Sequence, residues 1–138
     1  MSNAGTVAVQ PSLIKRRSIW LYTLIAAGAA PALLWTVVDP IAGHSLNAVS
    51  GGGTMHVAMP WVVAGAVIPG GIGLATATLL SRLTNGRLVW LIVSGLVLLL
   101  SLGGPFGGTT TATVLVLMAM HLLVGAAVIT GGYALAKR

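Results

Sequence analysis

The sequence predicts an all-α protein, a four-helix transmembrane bundle. Three observations carry that prediction: four long apolar stretches without a charged residue, cations confined to the segments on one side of them, and aromatic rings gathered at their ends. Composition points the same way. Hydrophobic residues make up 57% of the 138-residue chain and charged residues 6%, and mean hydropathy is +1.01. A soluble domain carries about 25% charged residues. So few charges cannot cover a soluble surface, so most of this surface must face lipid. The net charge of +6 does not imply nucleic acid, because the basic residues are too few and too scattered for such a footprint. The chain has no cysteine, which excludes disulfides, thiolate metal sites and Cys-pair redox chemistry.

Residues 1–18 read as a cytoplasmic N-terminal tail and residues 19–138 as the four-span domain, with spans at about 19–38, 59–80, 88–104 and 111–136. Each approximates the roughly 20 residues that cross a bilayer, the third at the short end of the range and the fourth at the long end. None shows the alternation of a membrane barrel strand. In the first span, Ala26–Ala30 and the preceding Lys15-Arg16-Arg17-Ser18 offer a competing reading as a cleaved signal peptide. The apolar run continues through Leu33, Leu34 and Trp35 to Val38, which suits a retained span.

Orientation follows from the cations. Lys15, Arg16 and Arg17 precede the first span, Arg82 and Arg87 lie between the second and third, and Lys137 and Arg138 follow the fourth. In a four-span chain those places share one side, which the positive-inside rule makes cytoplasmic. The expected location is the cell membrane with both termini inside. Trp20, Tyr22, Trp90 and Tyr133 fall at inner helix ends; Trp35, Trp61 and Phe106 fall at outer ends or in the outer loop. Amphipathic rings prefer the headgroup level, so the same boundaries emerge twice.

The outer segment Asp39–Ala58 is the one long connection. Its Gly51-Gly52-Gly53 predicts a flexible stretch, with a short interfacial helix near Ile41–Val49. Asp39-Pro40 marks the end of the first helix. Asp39, His44 and His56 share this segment, but their spacing matches no metal motif, and no metal is expected.

Ala58–Ala75 and Ala119–Ala136 align without gaps with ten identities in eighteen. This raises the expectation of two repeated helical hairpins related by an axis along the membrane normal. Against it, apolar spans share few residue types, so matches come cheaply. Gly28 with Ala32, Gly73 with Ala77 and Ala127 with Gly131 are small-xxx-small pairs suited to close helix packing. Pro31 and Pro69 each remove a backbone hydrogen bond within a span.

His121 is the candidate functional residue inside the membrane. It lies ten residues into the fourth span, about 15 Å from the outer edge by helical rise. An intramembrane ionisable group suggests function: a proton relay, a metal ligand, or a contact to a headgroup or quinone oxygen. No span holds a carboxylate to partner it. The structural alternative is a ring bonded to Ser94, Ser101 or a backbone carbonyl, locking two helices. Ser94, Ser101, Thr76 and Thr78 read as dispersed, which leans away from a lined transport path. The inner cations Lys15, Arg16, Arg17, Arg82, Arg87, Lys137 and Arg138 are candidate contacts for anionic lipid headgroups. There is no nucleophile–base pair, phosphate loop or HExxH, so neither catalysis nor a cofactor is expected.

The third span ends in Leu98-Leu99-Leu100-Ser101-Leu102-Gly103-Gly104-Pro105, and the fourth contains Leu117-Met118-Ala119-Met120-His121-Leu122-Leu123-Val124-Gly125-Ala126. In these stretches and in its four-span layout the chain resembles a family of small four-helix actinobacterial membrane proteins of unknown function. The glycine-rich outer loop departs from that pattern. The resemblance implies a plasma-membrane location and adds no activity. The expected function is therefore that of a non-enzymatic membrane binding or accessory protein, acting on the lipid bilayer, a membrane-protein partner or a second copy of itself. The alternative is a small oligomeric transporter or channel with His121 near the path.

Overall fold

The computed structural model describes residues 11–136. Residues 1–10 of the expected tail, and the candidate headgroup contacts Lys137 and Arg138, lie outside the described residues. The elements run α1 (Pro11–Thr36), a π-helical turn (Val37–Ile41), β1 (Asn47–Ser50), β2 (Gly53–His56), α2 (Met59–Leu80), α3 (Gly86–Ser101), a 3₁₀ turn (Gly104–Gly107) and α4 (Thr111–Leu135). All four helices are long and apolar enough to cross a membrane, α3 together with its 3₁₀ turn. Helices suit this composition because they satisfy their own backbone groups where no water is available.

Helix starts and turns follow local chemistry. Thr110 caps α4, its hydroxyl accepting from the Thr113 N–H at 3.1 Å. Pro60 occupies the first turn of α2, where a missing N–H costs nothing. The α2–α3 turn is tight enough that a methyl group on Gly86 would overlap the Leu80 carbonyl.

The connection between α1 and α2 corrects two expectations. The helix foreseen near Ile41–Val49 is absent, and the glycine run is not a loose stretch. Residues 47–56 form an antiparallel β-hairpin, with Asn47 opposite His56 and Ser50 opposite Gly53. Gly51 (φ +59°) and Gly52 (φ +84°) form its two-residue turn. Both central residues of such a turn need positive φ, which glycine adopts without strain. The hairpin lies across the end of the bundle. Ala48 bridges to Gly108, the Thr109 N–H donates to the Asn47 carbonyl at 3.0 Å, and Leu46 beneath is 1% exposed.

The helices meet through small residues. α1 packs extensively on α4 and α2; α3 packs on α4 but only thinly on α2. A methyl at Gly28 would lie 3.1 Å from Val67, and one at Gly73 3.0 Å from Val128. Gly125 receives Leu98 of α3, Gly131 receives Thr23 of α1, and Gly132 receives the Trp90 indole. Trp90 corrects the reading of it as a headgroup-level ring: it is 2% exposed, within a cluster of Leu74, Ala77, Leu135 and Ala136. Its indole N–H donates to the Ile129 carbonyl at 2.9 Å. The aligned segments of α2 and α4 have different surroundings. Gly131-Gly132 takes Thr23 and Trp90, while a methyl at Gly70 would face Val128 and Leu24 and one at Gly71 would meet nothing.

Gly132 and Gly65 should therefore respond in opposite ways to alanine. Gly132→Ala pushes a methyl into the indole, an overpacking cost of about 1–3 kcal/mol. Gly65 faces open space, so Gly65→Ala leaves only the helix-propensity gain, up to about 1 kcal/mol. Thermal unfolding in detergent micelles should rank Gly65→Ala above wild type and Gly132→Ala below it. Equal midpoints for the two variants would contradict this packing.

Candidate functional site

A cavity of about 530 Å³ lies between α2, α3 and α4. This is within the range of roughly 300–1,000 Å³ typical of small-molecule sites. It exists because α2 and α3 barely touch while both pack on α4. Its walls are mainly aliphatic, and Pro31 and Pro69 both line it. Trp61, Gly65, Pro69 and Ile72 of α2 and Val93 and Val97 of α3 line it and are themselves exposed. The mouth therefore opens sideways between α2 and α3. Val57 and Trp61 stand at the end of the cavity nearest the hairpin.

Four polar side chains line this cavity: Thr76, Ser94, Ser101 and His121. The expectation that they are dispersed is thus corrected; Thr78 alone of that set lies elsewhere. Sequence reasoning missed the grouping because it depends on how the helices are staggered. Trp90 meets Gly132 and Leu98 meets Gly125, so α3 and α4 run antiparallel with Ser101 near the height of His121. The spacing of these residues within each helix carries no signal of that register.

His121 does not lock two helices. Its Nδ1 lies 2.8 Å from the Leu117 carbonyl one turn earlier in the same helix. A carbonyl only accepts, so Nδ1 carries the proton and donates. The hydroxyls behave alike: Thr76 donates to Ile72 at 3.0 Å, Ser94 to Trp90 at 2.6 Å and Ser101 to Leu98 at 2.8 Å.

At the hairpin end of the bundle, Asp39 and His56 come together, although 17 positions separate them in sequence. The Asp39 Oδ2 lies 2.8 Å from His56 Nε2 and accepts the Leu46 N–H at 2.9 Å. The Trp35 indole meets the His56 ring edge-on at 6.5 Å and donates to the Val57 carbonyl at 2.6 Å. Together these contacts fasten both ends of the hairpin to the top of α1. His44 is exposed and outside that group, and no three metal-ligating side chains converge among the described residues.

The described cations gather at the opposite end. Ile19 and Trp20 of α1, Leu80 of α2, Trp90 of α3 and Leu135 of α4 pack in one cluster, which brings Lys15, Arg16, Arg17, Arg82 and Arg87 to that end. The Arg87 guanidinium lies 4.7 Å over the Tyr133 ring. Buried nitrogens of Arg16 (Nη2) and Arg87 (Nε) have no hydrogen-bond partner. Arg16 and Arg17 border a shallow depression on α1 lined also by Leu13, Trp20, Leu21 and Leu24.

Four apolar helices, with charge at the two ends and a cavity in the flank, are those of a membrane-protein bundle. The chain belongs to a family of unknown function, DUF6069, whose model matches residues 11–138. No curated protein and no solved structure matches it.

The Asp39 contacts make a specific prediction. Asp39→Ala leaves the Leu46 N–H without its acceptor and releases His56. Amide exchange at Leu46 and Val57 should accelerate by an order of magnitude or more, while the centres of α1 and α4 stay protected. Unchanged exchange at Leu46 would mean that other contacts hold the hairpin.

Proposed function

We propose that this chain is a non-enzymatic, multi-pass protein of the cell membrane that binds a lipophilic small molecule between α2, α3 and α4. One observation carries the reading: the cavity is apolar, holds four polar groups and opens sideways. In a spanning bundle the side is where the hydrocarbon lies. A lipophile can enter from there without passing through water. This moves the weight from a protein partner to a small membrane component, within the same class of binding protein. His121 and the lining serines donate to backbone carbonyls of their own helices, so none of them donates to another.

The charge distribution supports cytoplasmic termini, since Lys15, Arg16, Arg17, Arg82 and Arg87 share one end and Asp39 sits at the other. Arg16 and Arg17, which border the depression on α1, suit anionic lipid headgroups at the inner surface. The transporter alternative, with His121 near its path, draws on Pro31 and Pro69 in the cavity wall. Each frees a carbonyl one turn earlier and so loosens the backbone there.

Gly65→Leu tests the binding reading. Gly65 lines the cavity and a Cβ there meets nothing within 4 Å, so leucine can extend into the cavity and improves helix propensity. Native mass spectrometry of wild type taken from its own membrane should show a retained lipophile of defined mass. The variant should fold equally well and lose it. A wild type without such a molecule, accompanied instead by a reproducible protein partner, would return the reading to an accessory role.

Orientation can be tested without background labelling, because the chain has no cysteine. Thr54→Cys in the hairpin should react with a membrane-impermeant maleimide on intact cells. Asn85→Cys in the α2–α3 turn should react only after permeabilisation. The reverse pattern would invert the topology.

A further inference from the structure

The lining of the cavity restricts what its occupant can be, because nearly every polar hydrogen in it is already committed. The Thr76, Ser94 and Ser101 hydroxyls donate to Ile72, Trp90 and Leu98 of their own helices. The Trp90 indole donates across to Ile129. His121 donates from Nδ1 to Leu117. What these groups still present is acceptor capacity: hydroxyl lone pairs and, in the neutral ring, the Nε2 of His121. That nitrogen has no partner among the described residues. Pro69, also on the wall, has no N–H to donate to the Gly65 carbonyl one turn earlier. Trp61 holds the only indole N–H left over among the described lining residues, at the rim, where it is 66% exposed.

An acceptor-rich apolar site rewards a ligand that brings its own hydrogen. We infer that the occupant is a neutral lipophile bearing a hydroxyl group, which donates to His121 Nε2 while its hydrocarbon body fills the space between α2 and α3. This deepens the proposed function and rests on it. Anionic heads are disfavoured, because a carboxylate or phosphate brings only acceptors to a wall of acceptors and would leave a charge unpaired in apolar surroundings. A plain ketone, ester or ether fits the body of the site but leaves Nε2 unpaired. His121 and Ser101 stand at one height, nearer the hairpin, while Thr76 and Ser94 lie deeper. The hydroxyl is therefore placed near the mid-height of the bundle, on the hairpin side of Thr76 and Ser94. Free long-chain alcohols, polyprenyl alcohols and partial glycerides all share this chemistry.

The test uses the full chain in phospholipid nanodiscs and three probes: a terminally brominated long-chain alcohol, its methyl ether and the matching carboxylate. Bromine quenches tryptophan on contact, and Trp61 and Trp90 both line the cavity. Quenching in Gly65→Leu supplies the reference for simple partition into lipid. The alcohol should half-saturate wild type at about a five- to tenfold lower concentration than the ether, the worth of one added hydrogen bond. In His121→Leu that preference should fall to near parity, and His121→Gln, which keeps an acceptor, should restore part of it. The comparison of alcohol with ether is made in wild type and stands even if a His121 variant fails to fold. Equal binding of alcohol and ether would overturn the hydroxyl inference while leaving lipophile binding intact. Preferred binding of the carboxylate would overturn it too, and would show a protonated ring drawing an anion. If no probe quenches beyond the Gly65→Leu reference, the cavity binds no lipophile and both readings fall. Mass spectrometry of the native occupant then separates the sources, because acetylation marks each free hydroxyl and fragmentation distinguishes a simple alcohol from a glyceride.

Discussion

Adjacent glycines near the end of α4 set the geometry on which everything else depends. Gly131 takes Thr23 of α1 against its backbone and Gly132 takes the Trp90 indole of α3. A hydrocarbon solvent gives apolar helices no reason to prefer each other over lipid, so association rests on close contact and hydrogen bonds between helices. The glycine pair supplies the contact on two faces at once. The Trp90 donation to Ile129 then ties α3 to α4 beside it. With α1 and α3 both drawn onto α4, that helix becomes the axis of the bundle, and α2 fits where α1 and α4 leave room.

The cavity is a consequence of that arrangement. α2 meets α1 at Gly28 against Val67, and α4 where Val128 crosses Gly70 and Gly73. α3 touches it near one end, where the Trp90 indole packs with Leu74 and Ala77 and would lie 3.6 Å from a methyl at Gly73. Further along, Gly95, midway in α3, faces open space. The gap is kept apolar by Val93, Val97 and Leu98 on one side and Val62, Ala66 and Ile72 on the other. In water such a cleft would be driven to close. In lipid that drive is weak, so an open flank costs little and is available for a ligand.

Much of this was legible in the sequence, for a physical reason. Spans are fixed by local composition, and the four apolar stretches correspond to four helices long and apolar enough to cross a membrane. Gly28, Gly73 and Gly131 were recognisable as packing positions because small residues repeat at helical spacing. The hairpin was harder. Gly51-Gly52-Gly53 is compatible both with a loose linker and with a turn that needs positive φ, and what decides is distant: Asp39 holding Leu46 and His56, and Asn47 holding Thr109. Trp90 was misplaced because it sits at a helix end, where rings usually face headgroups, and only the bare surface of Gly132 explains its burial. The site itself was the least legible. His121 stood out as an ionisable group in an apolar span, but its gathering with Ser101, Ser94 and Thr76 depends on the relative stagger of three helices.

The hydrogen-bonding economy of the spans explains why those polar residues look unremarkable singly and matter together. A serine or threonine in an apolar helix normally donates to the carbonyl a turn earlier, which satisfies its hydrogen and hides it from lipid. Thr76, Ser94 and Ser101 do so, and His121 follows the same habit with its ring. Each residue is thus stable in its helix without a partner on another, and the bundle does not need them for cohesion. What remains on each is a lone pair, and on the proposed reading four such groups around one cavity favour a ligand that brings a hydrogen donor. A membrane protein can assemble selectivity in this way without burying a charge. That avoids the cost of an ionised group in hydrocarbon, and it fits a chain whose only acidic residue, Asp39, holds the hairpin at one end of the bundle.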